Sequence, residues 1–456
     1  HSISKGLYCE VHLDRELTAR DVELLQERMQ AIVAEDRPIV RKVLPIDEAI
    51  RLFVASKQIE KVKLLRQLDR QEVSIYYCGD AYDYFYGTMV PSTGYLKVFE
   101  LKYYPPGLIL RYPEKEAPLI LPAFVEQPKL YQIFREAEEW GRILNCGYVS
   151  TLNDHINNGT VRDIIRVAEA LHERKLGQIA DYIASRRGKV RLILVSGPSA
   201  SGKTTFANRL NIHLRVNGVR PVPISLDDYF LERSDTPRDE FGNYDFESIE
   251  ALDLELFNEH LMRILEGEEV KVPTYNFMTG QREYRGRKIR IDRDQPLIIE
   301  GIHGLNERLT AAVPRYQKVK IYISALTQLS IDNHNRIPTT DTRLLRRIVR
   351  DSQFRAHDAL RTLRIWPLVR RGEERNIFPF QEEADIMFNS ALIYELAVLK
   401  KYAVPLLSKI SPAEPEYSEA KRLLDFLAYF NVIEDEDEIP PNSLLREFTG
   451  KSCFYC

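Results

Sequence analysis

The chain has 456 residues, 44% hydrophobic and 29% charged, with a formal net charge of -3. That length exceeds one ordinary core and sets an expectation of two or three domains. The charge excludes an overall basic coat of the kind that grips nucleic acid, and no stretch approaches the roughly 20 apolar residues of a membrane span.

Residues 1–155 have the pattern of a mixed α+β domain. Ala19 to Ala34 places Leu24, Leu25, Met29 and Ile32 at helical spacing, while Val73 to Cys78 and Tyr95 to Leu101 have strand patterning. Residues 156–188 turn helical and form the expected connector, with an apolar face supplied by Ile164, Ile165, Leu171, Ile179 and Ile183. From 189 to 410, short apolar runs alternate with helical segments: Arg191 to Ser196, Val222 to Leu226, Leu297 to Glu300, Val319 to Ile323 and a candidate fifth strand at Val404 to Leu407. Such alternation predicts a parallel sheet with helices on both faces, and ligands beyond the carboxyl ends of its strands. Residues 411–456 form a helical tail whose acidic run, Glu434 to Glu438, has the look of a solvated loop.

The five cysteines are odd in number and scattered, so no disulfide framework is suggested. Cys453 and Cys456 have CxxC spacing without a second pair, and the expectation is a tail rather than a zinc site. No signal peptide opens the chain, which sets an expectation of a cytoplasmic protein, and the first residue is His1, compatible with a start inside a longer protein.

The chemistry concentrates at three places. The first is Gly197-Pro-Ser199-Ala200-Ser201-Gly202-Lys203-Thr204, which fits GxxxxGK[ST] and lies between an apolar strand and a helical segment starting at Thr205. Glycines let successive backbone N–H groups point inward, the helix N-terminus favours an anion, Lys203 reaches outer phosphates and Thr204 offers a hydroxyl to Mg²⁺. The loop predicts ATP with Mg²⁺. The second is a set of acids at strand ends, Asp227 and Glu300, where a carboxylate serves an attacking hydroxyl and a metal. Asp228 reads equally well as a turn former. The third is the segment from Asp341 to Phe354, where Arg343, Arg346, Arg347 and Arg350 fall on one helical face opposite Leu344, Leu345, Ile348 and Val349. Such a stripe suits a transferring phosphate, or pairs with neighbouring acids.

Together these motifs resemble the uridine kinase branch of the phosphoribulokinase/uridine kinase family. The resemblance adds Ser225-Leu-Asp-Asp-Tyr-Phe230, Asn243-Tyr-Asp245, Pro273-Thr-Tyr-Asn-Phe277, Ile299-Glu-Gly301 and Asp341 to Asp351 to the phosphate loop. It implies a P-loop α/β kinase fold that uses ATP and Mg²⁺ and phosphorylates a nucleoside 5′-hydroxyl. Asp227 would be the catalytic carboxylate, Glu300 the acid near the metal, Asp245 a ribose ligand and Tyr275 an aromatic beside the nucleoside. Arg347 and Arg350 would be lid arginines. Gly280 stands where the family's base-reading histidine is expected, and His357 where another arginine is usual. The first domain resembles the editing-type domain of threonyl-tRNA synthetases through Tyr77-Cys-Gly-Asp-Ala-Tyr-Asp83 and Gly87 to Gly94, with no cysteine or histidine in Asp83 to Met89, which implies a retained fold without hydrolysis.

The leading expectation is a nucleoside kinase. The alternatives are a kinase of the same fold with another small-molecule acceptor, and a regulatory ATPase linked to RNA. Nucleic acid is not the expected partner, no membrane association is expected, and the first domain could serve as an oligomerisation module.

Overall fold

The structure is a computed structural model that describes residues 2–85, 87–115, 117–277 and 279–454. The chain divides into two compact units, residues 1–135 with 148–153 and 329–336, and residues 136–147 with 154–328 and 337–456.

The first unit holds two antiparallel sheets. Strands β1 (Ser2–Ile3), β2 (Gly6–Cys9), β6 (Glu100–Tyr104) and β7 (Gly107–Arg111) form one in the order β1-β2-β7-β6. Helix α1 (Ala19–Ala34) packs on it through Val22, against Leu17 and Leu108. Its start is fixed by a capping box, in which Thr18 and Asp21 each satisfy the other's backbone N–H. Strands β3 (Ile39–Pro45), β4 (Glu72–Cys78) and β5 (Ala81–Tyr84) form the second sheet, flanked by α2 (Ile46–Ala55) and α3 (Ile59–Gln67). Lys61 of α3 is 2% exposed and pairs with Asp83, with Asp332 3.8 Å away. Burial pushes the Lys61 ammonium down to about 8. The expected strand at Tyr95 to Leu101 is instead a turn followed by β6. The buried Thr93 explains the difference, because its hydroxyl donates to the Ile32 carbonyl (2.8 Å) and accepts the Arg37 N–H (2.9 Å), bending the chain there.

Two helices, α4 (Pro128–Ile143) and α5 (Val149–Asn157), lie at the division between the units, and α6 (Val161–Ala184) belongs to the second. The second unit is built on a five-stranded, fully parallel sheet in the order β16-β15-β8-β14-β9, with β8 at Leu192–Ser196, β9 at Val222–Ser225, β14 at Leu297–Glu300, β15 at Lys318–Ser324 and β16 at Ile386–Asn389. Alternate side chains of β8 explain its unbroken apolar run. Leu192 and Leu194 enter the core that includes α8 (Leu254–Leu265), while Ile193 and Val195 enter the core that includes α6 and α7 (Lys203–Val216). Two short antiparallel pairs, β10 (Val270–Lys271) with β13 (Lys288–Ile289) and β11 (Thr274–Asn276) with β12 (Gln281–Glu283), follow α8. The helices α9 (Thr339–Phe354), α10 (Ala359–Asn376), α11 (Glu395–Leu407), α12 (Tyr417–Leu427) and α13 (Arg446–Thr449) complete the unit.

Three further expectations change. The fifth strand is β16, and Val404 to Leu407 is the end of α11, where Pro405 follows a full helical turn rather than opening a strand. The expected connector is part of a core: Leu176, Ile179, Ala180 and Ile183 of α6 pack against β8 and α7. The acidic run is not wholly solvated, because Glu436 is 6% exposed and pairs with Arg446 at 2.6 Å. Cys456 lies outside the described residues. If α6 is core, Leu176→Ala costs about 2–5 kcal/mol of stability, seen as a lower denaturant midpoint with unchanged slope; a connector helix would give less than about 0.5 kcal/mol.

Candidate active site

The site gathers at the carboxyl ends of β8, β9 and β14. Gly197 leaves β8 so close to β15 that a Cβ would stand 2.1 Å from the Ile323 carbonyl oxygen. Only glycine fits. Gly202 closes the loop at φ +85° as the N-cap of α7. Lys203 and Thr204 therefore sit in the first turn of α7, whose early N–H groups have no partner within the helix. Lys203 Nζ donates to the Pro198 carbonyl across the loop at 3.1 Å.

Ser225 ends β9 and Glu300 ends β14, and the two strands are paired in register there. Ser225 Oγ donates to Glu300 Oε1 (2.9 Å), and Thr204 Oγ1 donates to Glu300 Oε2 (3.4 Å). Asp227 follows β9 directly. Asp227, Glu300 and Lys203 are half-buried, and the protein packed around them disfavours charge. Burial raises the carboxyls of Asp227 and Glu300, with their mutual repulsion adding to Glu300, and burial lowers the Lys203 ammonium against the pull of both acids.

The arginine face of α9 is not a free stripe. Arg343 and Arg346 are buried and ion-paired with Glu373 and Glu395. Both also carry the phosphate loop: Arg343 donates to the Ser199 carbonyl (3.0 Å), Arg346 to the Ala200 carbonyl (3.3 Å), and Glu373 accepts the Ser199 N–H (2.9 Å). Arg347 donates to Ser199 Oγ (2.8 Å) and Arg350 to Asp351 (2.9 Å). The charges of Arg350 and Arg355 both reach Asp227. Ser201 and Thr205 are buried within the loop and the first turn of α7.

Beside Asp227, Asp228 accepts the N–H of Tyr275 (3.3 Å) and so fastens β11 to the site. The Tyr275 ring packs on Phe230 (centroids 5.6 Å) and Phe277 (5.1 Å), and its buried hydroxyl has no partner among the described residues. Arg355 lies over Phe277 at 5.8 Å, linking this aromatic wall to the acids. Gly280 has φ +73°, and a Cβ there would stand 2.9 Å from Arg233 Nε. Asp245 accepts the N–H of Glu247 (3.2 Å). Glu247 itself carries a buried, unpartnered oxygen, and burial beside Glu373 pushes its carboxyl up to about 7. Glu247, Glu373, Glu395 and Arg355 were outside the sequence expectation. Only Arg355 carried a signal there, as the arginine following the Asp341–Asp351 motif.

A parallel sheet bearing this loop, with Glu300 ending the adjacent strand β14 and Asp227 following β9 one strand further out, is the arrangement of a P-loop kinase fold. Residues 192–395 match the phosphoribulokinase/uridine kinase family. Among solved structures, a "possible uridine kinase" from Bacillus stearothermophilus is 19% identical, covering 47% of this chain and all of that one, with a TM-score of 0.32. The N-terminal region is similar to threonine–tRNA ligases. That of Nitratidesulfovibrio vulgaris is 30% identical over 183 residues, 40% of this chain and 24% of its own length. That of Carboxydothermus hydrogenoformans is 40% identical over 101 residues, 22% of this chain and 16% of its own length. The chain thus spans a quarter or less of these relatives.

Glu373 joins α10 to both the arginine helix and the phosphate loop. Removing it as Glu373→Ala leaves Arg343 buried without its partner and costs about 3–5 kcal/mol, measurable by chemical denaturation.

Proposed function

We propose that the second unit transfers the γ-phosphoryl group of ATP to the 5′-hydroxyl of a nucleoside, giving ADP and the nucleoside monophosphate. What supports this is that Asp227 interacts with Lys203 of the phosphate loop, while its neighbour Asp228 holds Tyr275 of the Phe230–Tyr275–Phe277 cluster. A planar base suits that wall, and a hydroxyl held next to Asp227 faces the loop.

The loop amides, from Gly197 through Thr205, hold the triphosphate together with Lys203. Mg²⁺ fits the residues present. Thr204 and Glu300 share a hydrogen bond and a second carboxylate, Asp227, stands nearby, an all-oxygen donor set with few protein ligands. That is the pattern of an ion held largely by phosphates and water. Thr204, Glu300 and Asp227 would hold it, and bound there it would neutralise charge on the phosphates. Asp227 orients the acceptor hydroxyl and takes its proton. Arg347 and Arg350 set the positive edge along which the phosphoryl group moves. Asp245 and Tyr275 are the ribose and base contacts in this reading.

A second acceptor is favoured by one observation. The Arg233 side chain covers Gly280 and donates to the Phe277 carbonyl (3.1 Å), so a guanidinium stands at the end of the wall where the uridine kinase pattern expects histidine. An acceptor other than uridine or cytidine, with hydrogen-bond acceptors at its far end, suits that group.

ADP release from ATP-Mg²⁺ across a panel of purine and pyrimidine nucleosides, pantothenate and sugar phosphates tests both. Release dependent on one nucleoside supports the first reading; release only with another class replaces it. With the accepted substrate, Asp227→Asn lowers kcat about 10²–10⁴-fold with little change in KM for ATP; near-normal turnover removes Asp227 from the base role. Because Asp227 must be ionised to accept a proton and burial raises it, kcat/KM climbs with pH on a limb that lies above the ordinary carboxylate range. A profile already flat at the acid end would mean that no raised carboxyl controls the step.

A further inference from the structure

The C-terminal segment returns to the phosphate loop. Glu447, on α13, accepts from Thr205 twice: Oε2 takes the backbone N–H at 3.2 Å and the hydroxyl at 2.8 Å. Thr205 N is one of the first-turn donors of α7 that the helix cannot satisfy itself, whereas the next N–H, that of Phe206, already reaches the Gly202 carbonyl (3.0 Å). A carboxylate placed here is stabilised by the helix N-terminus as a phosphate oxygen would be. The negative charge of Glu447 is also felt at Lys203 and Glu300.

The segment around Glu447 is firmly seated. Leu444, Leu445 and Phe448 have no exposed surface. Leu444 approaches Gly202 so closely that a Cβ there would be 3.1 Å from its Cδ2. Phe448 lies under the Arg346 guanidinium (4.9 Å), and Arg346 in turn holds the Ala200 carbonyl. Arg446 is locked to Glu436 (2.6 Å). Glu447 alone in this stretch is only half-buried, so its side chain can swing to solvent while the backbone stays in place. The segment itself, from Glu436 to Phe448, lies beyond residues 192–395, the part that matches the phosphoribulokinase/uridine kinase family.

We propose that Glu447 is a built-in competitor for the phosphate loop: its carboxylate holds a donor that the triphosphate needs, and ATP binds only by displacing it. The tail thereby sets the ATP concentration at which the kinase turns on. This inference rests on the ATP reading of the site.

The test is calorimetric titration of the full chain with a non-hydrolysable ATP analogue and with inorganic tripolyphosphate. Wild type is compared with Glu447→Ala, the isosteric Glu447→Gln, and Glu438→Gln as a control for net charge. The expected result is binding about three- to tenfold tighter for Glu447→Ala, as the loss of a charge at a helix N-terminus implies. Glu447→Gln should fall between, Glu438→Gln should match wild type, and KM for ATP should fall in the same order. Hydrogen exchange at the Thr205 amide, fast in Glu447→Ala and slow in wild type, reports the contact if the alanine variant is poorly folded. Equal or weaker binding in both Glu447 variants overturns the proposal and makes Glu447 a structural cap. Weakening seen only with Mg²⁺ present also overturns it, assigning Glu447 to the metal. Binding of neither ligand by any variant removes the ATP reading itself, and the inference with it.

Discussion

A loop that presents several backbone N–H groups toward one point cannot hold that shape alone. The donors are uncompensated, the helix behind them adds partial positive charge, and the loop's own carbonyls are forced outward. In this protein those carbonyls at Ser199 and Ala200 are taken by Arg343 and Arg346, and the two guanidiniums are neutralised by Glu373 and Glu395. Two of the four arginines on α9 therefore serve the loop's shape, and the remaining two, Arg347 and Arg350, are nearer the site.

The acids form the counterpart. Asp227, Glu247 and Glu300 sit where protein surrounds them on most sides, and each is pushed toward its neutral form. Lys203 is the cation they share. Such a cluster is unfavourable while its carboxyls are charged, and their displacement toward the neutral form relieves part of the repulsion. The same tension distinguishes the second unit from the first, where the buried Lys61 is matched by Asp83 and Asp332.

What could be read from the chain follows from how local each signal is. The phosphate loop, Asp227 and Glu300 are local patterns: a strand, its end and the residue that follows. The arginine face was visible as periodicity, but its partners were not, because Glu373 and Glu395 lie on other helices and nothing near Arg343 in the sequence points to them. Val404 to Leu407 was mistaken for a strand because a short apolar run containing proline has no period of its own, while β16, four residues long, carries equally little. The tail was misjudged for a related reason. Its acidic run suggests solvent, yet Glu436 is drawn inside by Arg446, and the burial of Leu444 and Phe448 is decided by surfaces elsewhere in the fold.

The way α6 packs bears on where the second unit begins and ends as an autonomous folding piece. The family match starts at β8, but the lower face of β8 is covered by Leu176, Ile179, Ala180 and Ile183, and Leu444 belongs to the same core. A fragment cut to the matched residues would bare that apolar face along the central strand of the sheet and invite self-association. Covering that face takes α6 from before the matched residues and Leu444 from after them, so the packed core of the second unit extends past the family match at both ends.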